Sequence, residues 1–252
     1  MVDLTDKQLE RYARQLILPE IDLAGQQRLL ASRVLIVGAG GLGVPMAQYL
    51  TGAGVGHVRI ADDDLIELSN LPRQVAFLEQ DVGEPKASVL CRQLGDLNSD
   101  IELDAKLIRF NRDSAQSLLQ DVDLVLDATD SLRARLDIDR ETYAAGLPWI
   151  MGTAVRRYGQ WVAFDAERSR GCYHCLASNP DVGDEAGCAQ LGILGPVVAL
   201  VSLQQSLLAL RYLLGHTVSW GCIHNLDAWD AELTQVVTAK RDDCPVCAGV
   251  SG

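Results

Sequence analysis

The sequence is short of basic residues, and it contains no long uninterrupted apolar run. Among its 252 residues, 22 lysines and arginines stand against 34 aspartates and glutamates, which gives a net charge of −12. Nonspecific binding to nucleic acid needs a basic surface, so this charge balance argues against a nucleic-acid partner. The most apolar stretch, 193–215, is interrupted by Gln204, Gln205 and Arg211. These interruptions predict a buried helix rather than a membrane span.

The sequence also lacks an export signal, internal repeats and low-complexity linkers. Residues 1–16 are polar and amphipathic, with no apolar core and no small-residue cleavage site. We therefore expect a cytoplasmic protein. The seven cysteines are an odd number. In a cytoplasmic chain this favours metal ligands and free thiols over a disulfide framework.

Strand patterns alternate with helix patterns and predict an α/β fold with a doubly wound, mainly parallel, Rossmann-like sheet. The predicted elements are strands at "RVLIVG" (33–38), "HVRIAD" (57–62), "DLVLDATD" (123–130) and "PWIMG" (148–152), with helices over about 42–53 and 85–97. After Gly152, "AVRRYGQWVAFD" and "NLDAWDAELTQVVTA" alternate as hairpin strands do. We expect one domain over 1–252, with a nucleotide-binding half to about 152 and a mostly antiparallel extension over about 153–252.

A glycine turn directly follows the first predicted strand. Gly38, Gly40 and Gly43 fit GxGxxG in "VLIVGAGGLG". Such glycines allow close approach of the backbone to a phosphate at a helix N-terminus. Asp62 ends the next strand, 19 residues after Gly43, where an acid accepts hydrogen bonds from ribose hydroxyls. The alternative is a glycine turn that only packs a helix against a strand.

Charged residues further along favour a triphosphate over a dinucleotide. Asn70 and Arg73 lie in "DDDLIELSNLPRQ", and Lys86 follows in "GEPKAS". Fixed cations help to cleave a triphosphate. Asp127 and Asp130 end a strand where ligands bind in open α/β sheets, and a carboxylate there can hold Mg²⁺. The alternative for Asp130 is that it caps the helix that begins near Ser131.

Four cysteines form two widely separated CxxC pairs. They are Cys172, Cys175, Cys244 and Cys247. Two such turns complete a tetrahedral sulfur site suited to Zn²⁺, with a structural role. A redox CxxC is the alternative, and His174 is interpreted as a spacer between the first two sulfurs. Cys188 lies in a predicted loop before the long apolar helix.

Several motifs in order carry a family resemblance. "RYARQ" (11–15), "VLIVGAGGLG" (34–43), "SNLPRQ" (69–74), "VGEPKA" (82–87), "ATDS" (128–131) and the two CxxC pairs together resemble the MoeB/ThiF/HesA family, the bacterial relatives of ubiquitin-activating enzymes. Two positions depart from the family pattern: Pro72 stands where relatives such as MoeB have Gln, and Ser131 stands where Asn is common.

The resemblance implies an enzyme that uses ATP and Mg²⁺. Members adenylate the C-terminal glycine of a small ubiquitin-like sulfur-carrier protein of the MoaD or ThiS type, and they release pyrophosphate. The acyl adenylate then accepts sulfur for molybdopterin or thiamin biosynthesis, so a sulfur-donor protein is an expected partner. The C-terminal half would bear the zinc and bind the carrier, and the enzyme would be a homodimer.

The resemblance also implies roles for individual residues. Nucleotide contacts are expected at Gly38, Gly40, Gly41, Asp62, Ser69, Asn70, Arg73, Lys86, Asp130 and Ser131. Among these, Arg73 and Lys86 serve catalysis and Asp130 holds Mg²⁺. Arg14, which by itself is typical of a solvated helix arginine, resembles one that enters the partner's active site. Cys188 matches a region where some members form an acyl disulfide with the carrier, and an incidental loop cysteine is the alternative.

Two other functions stay open from the sequence. A nicotinamide-dependent oxidoreductase would share the fold but needs an acid or base for hydride transfer, and the four histidines lie in unpromising places. A noncatalytic zinc scaffold that docks a ubiquitin-like protein has no use for a magnesium carboxylate.

Overall fold

One continuous sheet organises the chain. The computed structural model describes residues 3–177 and 191–248. The sheet has eight strands in the order β3-β2-β1-β4-β5-β6-β7-β8. The strands are β1 (Arg33–Val37), β2 (His57–Ala61), β3 (Glu102–Lys106), β4 (Leu124–Asp127), β5 (Trp149–Val155), β6 (Tyr158–Phe164), β7 (Cys222–Asp227) and β8 (Glu232–Val237). Strands β1 to β5 pair in parallel, and β5 to β8 pair antiparallel.

Helices cover both faces of the sheet. They are α1 (Asp6–Arg11), α2 (Ala13–Leu16), α3 (Asp22–Ala31), α4 (Gly43–Ala53), α5 (Lys86–Leu97), α6 (Arg112–Leu119), α7 (Leu132–Ala144), α8 (Tyr173–Leu176) and α9 (Gly195–Leu213). Two short 3₁₀ helices, Leu68–Asn70 and Glu79–Asp81, lie between β2 and α5.

The burial of strand β1 explains why it is apolar at every position from Val34 to Val37. Val34 and Ile36 lie in the core on the face covered by α4 and α9, whereas Leu35 and Val37 lie in the core on the opposite face. Successive side chains of a strand point to opposite faces, so a strand that is covered on both sides has a continuous apolar run as its sequence.

The prediction of a doubly wound, mainly parallel sheet with an antiparallel C-terminal part is confirmed. The expected boundary near 152 falls inside β5, which is shared by both parts. Strand β3 was not predicted. It lies at the sheet edge and has the sequence "ELDAK", with no apolar run, because none of its side chains is fully buried.

Helix α9 is a core helix, as its polar interruptions predict. It is long and apolar enough to cross a membrane by length and composition. Its buried polar residues instead bond to the sheet and the glycine turn: the Gln205 amide donates to Asp127 O at 2.8 Å and Ile150 O at 3.3 Å, and the Ser202 hydroxyl donates to Leu42 O at 2.6 Å. Gly152 leaves the space that Gln205 occupies, since a Cβ there would lie 2.1 Å from the Gln205 Oε1.

We expect Gln205→Met to lower the free energy of unfolding by about 1–2 kcal/mol, because two buried carbonyls lose their amide donor. Denaturant unfolding measures this change. The control is Gln204→Met, at the exposed neighbouring position, which should stay within about 0.5 kcal/mol of wild type. Equal stability of the two variants would contradict the anchoring role of Gln205.

Candidate functional site

A cleft of about 950 Å³ opens at the carboxyl edge of the parallel strands. It lies where the strand order reverses between β1 and β4, the position at which open α/β sheets bind ligands. All ten predicted nucleotide contacts line it: Gly38, Gly40, Gly41, Asp62, Ser69, Asn70, Arg73, Lys86, Asp130 and Ser131. The structure thus brings together residues that are widely spread along the sequence.

The glycines of the turn meet different constraints. Gly38 has a φ of +101°, and a Cβ on it would lie 2.9 Å from Ala128 O. A Cβ on Gly43 would lie 1.9 Å from Gly38 O, so helix α4 can begin there only with glycine. At Gly40 the nearest atom to such a Cβ is Gln74 Nε2 at 3.8 Å. The packing of the chain does not require glycine at position 40, and its absent side chain leaves space in the cleft.

Asp62 ties the end of β2 to the glycine turn. Its carboxylate accepts a hydrogen bond from Ala39 N at 2.6 Å and another from Asp64 N at 2.8 Å. Burial raises the pKa of Asp62, while these two backbone donors and the Lys86 charge oppose that rise. The carboxylate is therefore fixed in position, as a ribose contact requires.

Lys86 is a desolvated cation at the N-terminus of α5. It is the first residue of the helix, its side chain is 8% exposed, and its Nζ lies 2.8 Å from Asp64 Oδ2. A cation is unfavourable at this end of a helix dipole, where the backbone N–H groups already carry positive partial charge. The arrangement places a cation, paired with Asp64, beside the free N–H groups of a helix N-terminus, and it suits a phosphate group as ligand.

The 3₁₀ helix Leu68–Asn70 positions further polar side chains that line one side of the cleft. Asn70 is buried, and its side-chain oxygen accepts from Glu67 N at 3.1 Å. Arg73 donates from Nη1 to Ser69 O at 3.0 Å, which holds its guanidinium along the same wall. Both predicted cations, Arg73 and Lys86, therefore line the cleft, together with Arg109, Arg133 and Arg135.

The two acids after β4 have different environments. Asp127 is fully buried and accepts hydrogen bonds from Thr129 N, Thr129 Oγ1 and Arg135 Nε. Its carboxylate oxygens are thus engaged by neighbours inside the protein, whereas the magnesium prediction concerns Asp130. Asp130 is exposed to the cleft. Its alternative role as a helix cap is wrong, because Ser131 is the N-cap and accepts from Ala134 N at 3.3 Å.

Sequence reasoning missed several residues that line the cleft, among them Asp64, Gln74 and Arg135. Asp64 pairs with Lys86, Arg135 pairs with Asp127, and Gln74 is buried beside Gly40. The Gln74 Oε1 is buried and has no hydrogen-bond partner within the described chain. The sequence contained a signal for Arg135, because this residue lies one helical turn after the predicted contact Ser131, on the same face of the helix.

Arg14 and the histidines lie away from the cleft. Arg14 is exposed on α2 and does not line the cleft of its own chain. Cys188 lies outside the described residues. None of the four histidines, all of which lie in the described part of the chain, lines the cleft.

The two CxxC pairs meet in one cluster. The Sγ atoms lie 3.8 Å apart for Cys172 and Cys175, 3.5 Å for Cys172 and Cys244, and 3.4 Å for Cys175 and Cys247. A tetrahedron with Zn–S bonds of about 2.3 Å has S···S edges of about 3.8 Å. Burial raises the pKa of the Cys172 thiol, and Asp139 raises it further. A dication offsets both effects, so the donor set and its spacing fit zinc.

A buried polar network adjoins the sulfur cluster. Asp139 accepts hydrogen bonds from His174 N at 3.1 Å and His174 Nδ1 at 2.8 Å, and Arg168 Nε donates to it at 3.3 Å. Burial alone would raise the pKa of Asp139, but the His174 hydrogen bond and the Arg168 charge lower it below its usual value. The prediction of His174 as a spacer is wrong, because its ring and backbone both bond to α7.

Comparisons with known proteins agree with this geometry. The chain is 38% identical over 247 residues to the sulfur carrier protein ThiS adenylyltransferase of Escherichia coli K12, covering 98% of both chains. It is 34% identical over 250 residues to the molybdopterin-synthase adenylyltransferase of Salmonella typhimurium, covering 98% of this chain and 99% of that one. A crystal structure of E. coli MccB with MccA-N7isoASN has the same fold, with a TM-score of 0.82 at 20% identity over 98% of this chain and 76% of that one.

A family model extends this likeness to almost every element described above. The ThiF family model matches residues 12–246, from the end of α1 to the last CxxC. The glycine turn and most of the sulfur cluster lie within the match, and the resemblance found in the sequence motifs is confirmed. The chain belongs to the ThiF family.

Proposed function

We propose that the protein is an ATP-dependent adenylyltransferase that activates the C-terminal glycine of a ubiquitin-like sulfur-carrier protein for thiamin or molybdopterin biosynthesis. The observation that carries this proposal is the cleft that joins an open glycine cradle to two cations and an exposed acid. The two enzymes compared above are named as adenylyltransferases, one acting on the sulfur carrier ThiS and one on molybdopterin synthase.

The proposed chemistry is an in-line substitution at the α-phosphorus of ATP. A carboxylate oxygen of the carrier forms the new bond to phosphorus, the bond to the β-phosphate oxygen breaks, and pyrophosphate leaves with the electron pair. The carrier carboxylate is already ionised at neutral pH, so no general base is needed. Catalysis then comes from positioning and from stabilising charge on the leaving group, for which Arg73 and Lys86 are placed.

Asp130 would hold Mg²⁺ together with the phosphates of ATP. Its exposure to the cleft and its position after β4 fit a cation that keeps several oxygen ligands from substrate and water. The ion would neutralise part of the triphosphate charge. Asp62 would accept hydrogen bonds from the ribose, Gly40 and Gly41 would face the phosphates, and Ser69, Asn70 and Ser131 would complete the polar wall.

The other functions have less support. An oxidoreductase needs a proton donor or acceptor beside the nicotinamide, and none of the four histidines, all within the described ranges, lines the cleft. A scaffold that only docks a partner does not need a buried cation in the cleft, whereas Lys86 is desolvated there at a helix N-terminus. A cytoplasmic location fits the proposal, because adenylation consumes ATP and thiolate ligands need a reducing compartment.

We infer that zinc occupies the four-cysteine cluster. The metal would fasten the segment that carries Cys244 and Cys247 to the turn that carries Cys172 and Cys175, and a closed set of four sulfurs is typical of structural zinc. The region 153–248 would also contribute to carrier binding. After adenylation, a separate donor protein would deliver sulfur at the sulfide oxidation level, which attacks the acyl carbon and displaces AMP to give a thiocarboxylate. An acyl disulfide at Cys188 stays a prediction.

We also propose a homodimer in which Arg14 enters the cleft of the partner subunit. Arg14 is exposed and lies outside its own cleft. A guanidinium supplied in trans would stabilise the charge that develops during adenylyl transfer; arginine fingers raise the rate of phosphoryl transfer by about 10³–10⁵-fold.

Carrier-dependent exchange of labelled pyrophosphate into ATP tests the proposed reaction. ThiS-type and MoaD-type carriers are assayed separately, and exchange with one of them also identifies the pathway. Asp130→Ala should reduce exchange by at least about 10²-fold, because charge stabilisation is lost. The control is Asp63→Ala, an acid at the rim of the same cleft that pairs with Arg109. Exchange that survives Asp130→Ala, or is absent with both carriers, would contradict the proposal.

Gly40→Ala tests whether position 40 faces the phosphates. The new Cβ meets only ordinary contacts in the free protein, so the variant should fold normally. A misplacement of about 1 Å at the reacting groups should reduce kcat/KM for ATP by about 10²-fold. The control is Gly52→Ala on helix α4, where a Cβ has no neighbour within 4 Å. Normal ATP kinetics in the Gly40 variant would show that no phosphate lies there.

Subunit complementation tests the action of Arg14 in trans. Arg14→Ala and Asp130→Ala should each be inactive as homodimers. Unfolding and refolding the two together should restore about a quarter of wild-type activity, since half of the dimers are mixed and each contains one intact site. An inactive mixture, with mixed dimers demonstrated by differential tagging, would exclude action in trans.

A further inference from the structure

The motif "RYARQ" (11–15) gives one side chain to the proposed chemistry, Arg14, and three of its other residues bond to their own chain. Arg14 is exposed on α2, and within residues 3–177 and 191–248 it has no hydrogen-bond partner. Ile17 and Leu18, just beyond it, are 74% and 44% exposed. This end of the N-terminal segment therefore offers a cation and apolar surface to another molecule.

Tyr12 anchors the segment inside its own subunit. Its side chain is buried, and its hydroxyl accepts a hydrogen bond from Asn98 Nδ2 at 3.0 Å. The same Nδ2 donates to Thr51 O at 2.8 Å. A Cβ on Gly54 would lie 2.6 Å from the Tyr12 Cζ, so the ring packs directly against the end of α4. The backbone two residues before Arg14 is therefore fixed.

Asp100 provides a second anchor through the helix that precedes Tyr12. Its Oδ1 accepts a hydrogen bond from Lys7 Nζ at 2.8 Å, and its Oδ2 accepts one from Arg11 Nε at 3.1 Å. Arg11 also donates from Nη1 to Leu97 O at 2.9 Å. A planar guanidinium fixes direction as well as distance, so the loop after α5 holds the orientation of α1.

Gln15 holds the segment on the far side of Arg14. Its Nε2 donates to Gln26 Oε1 and to Ala53 O, both at 3.1 Å. Ala53 is the last residue of α4. Contacts on both sides of Arg14 therefore fix the course of the backbone and leave this side chain free to reach outward.

The anchors lie at the opposite ends of α4 and α5 from the cleft. Helix α4 begins at the glycine turn and α5 begins at Lys86, whereas the anchors contact the end of α4 and the loop after α5. Helices of 11 and 12 residues are about 16–18 Å long. This length exceeds the reach of an arginine side chain, so Arg14 is held away from its own cleft and is placed to serve that of a second subunit.

We propose that Tyr12 and Asp100 are positioning residues that hold Arg14 in the orientation in which it enters the cleft of the partner subunit. They fasten the N-terminal segment to one subunit, and Arg14 extends from that segment to the other. The proposal rests on the proposed function for the action of Arg14 in trans. It adds that a defect in the anchors of one subunit impairs the cleft of the other subunit.

Asp100→Ala tests the anchor without disturbing the core, because ion pairs at the surface contribute little to folding stability. We expect the maximal rate of carrier-dependent pyrophosphate exchange to fall by about tenfold with an unchanged KM for ATP, because a loosened arginine is misplaced in the transition state. Hydrogen exchange in residues 6–16 should become faster. The matched control is Asp96→Ala, at an exposed acid on α5, which should equal wild type in all three measurements.

Mixed dimers decide which cleft the anchor serves. Asp100→Ala and Asp130→Ala subunits with different tags are refolded together, and the mixed dimer is isolated. The cleft with an intact Asp130 then receives Arg14 from the subunit with an intact anchor, so about half of wild-type activity is expected. If Asp100 acted on the cleft of its own subunit, that same cleft would be impaired and about one-twentieth would remain. Tyr12→Phe, which removes one hydroxyl and keeps the ring, should lower the rate of its homodimer by about threefold and complement Asp130→Ala in the same way.

Three results would overturn the positioning role: wild-type rates in both Asp100→Ala and Tyr12→Phe, about one-twentieth of wild-type activity in the isolated mixed dimer, or equal effects in Asp96→Ala. The proposed function survives each of these results, since Arg14→Ala would still be inactive. Full activity of Arg14→Ala, or a wild type without exchange with either carrier, would instead overturn the action of Arg14 in trans and this proposal together.

Discussion

The close approach of the glycine turn to the segment after β4 is the constraint on which the rest of the site depends. Gly38 lies so near Ala128 O that a Cβ would fall 2.9 Å from it, and Gly43 lies against Gly38 O. This contact brings the ends of β1 and β4 and the N-terminus of α4 to one point. Asp62 adds the end of β2 through its hydrogen bond from Ala39. The cleft exists because three strand ends and a helix N-terminus meet there.

This convergence places helix N-terminal N–H groups and the cation Lys86, which pairs with Asp64, at one cleft. Lys86 sits at the start of α5, where a lysine is unfavourable for the helix itself. Polar residues of α9 fix the strand ends and the glycine turn through hydrogen bonds. Gln205 bonds to β4 and β5, and Ser202 bonds to the glycine turn. The apolar helix therefore both completes the core and fixes the walls of the cleft.

The C-terminal part belongs to the same structural unit as the cleft. Strand β5 pairs in parallel with β4 and antiparallel with β6, so one strand joins the two kinds of sheet. Val198 and Gly195 line the cleft beside the glycine turn. Helix α7 provides the second connection, since it begins at the cleft and ends beside the sulfur cluster.

The sequence by itself determined most of the parallel sheet, the glycine turn, the core nature of α9 and the two CxxC pairs, because each follows from local periodicity or fixed spacing. It also supplied the ten cleft residues through ordered motifs; their placement together is observed, while their roles stay predictions. Only the tertiary structure buried Asp127 against Arg135, made Ser131 the helix cap, and gave His174 a buried partner. Those outcomes depend on burial and on partners distant in sequence, such as Asp139 for His174, and no local pattern specifies which polar group the folded chain encloses.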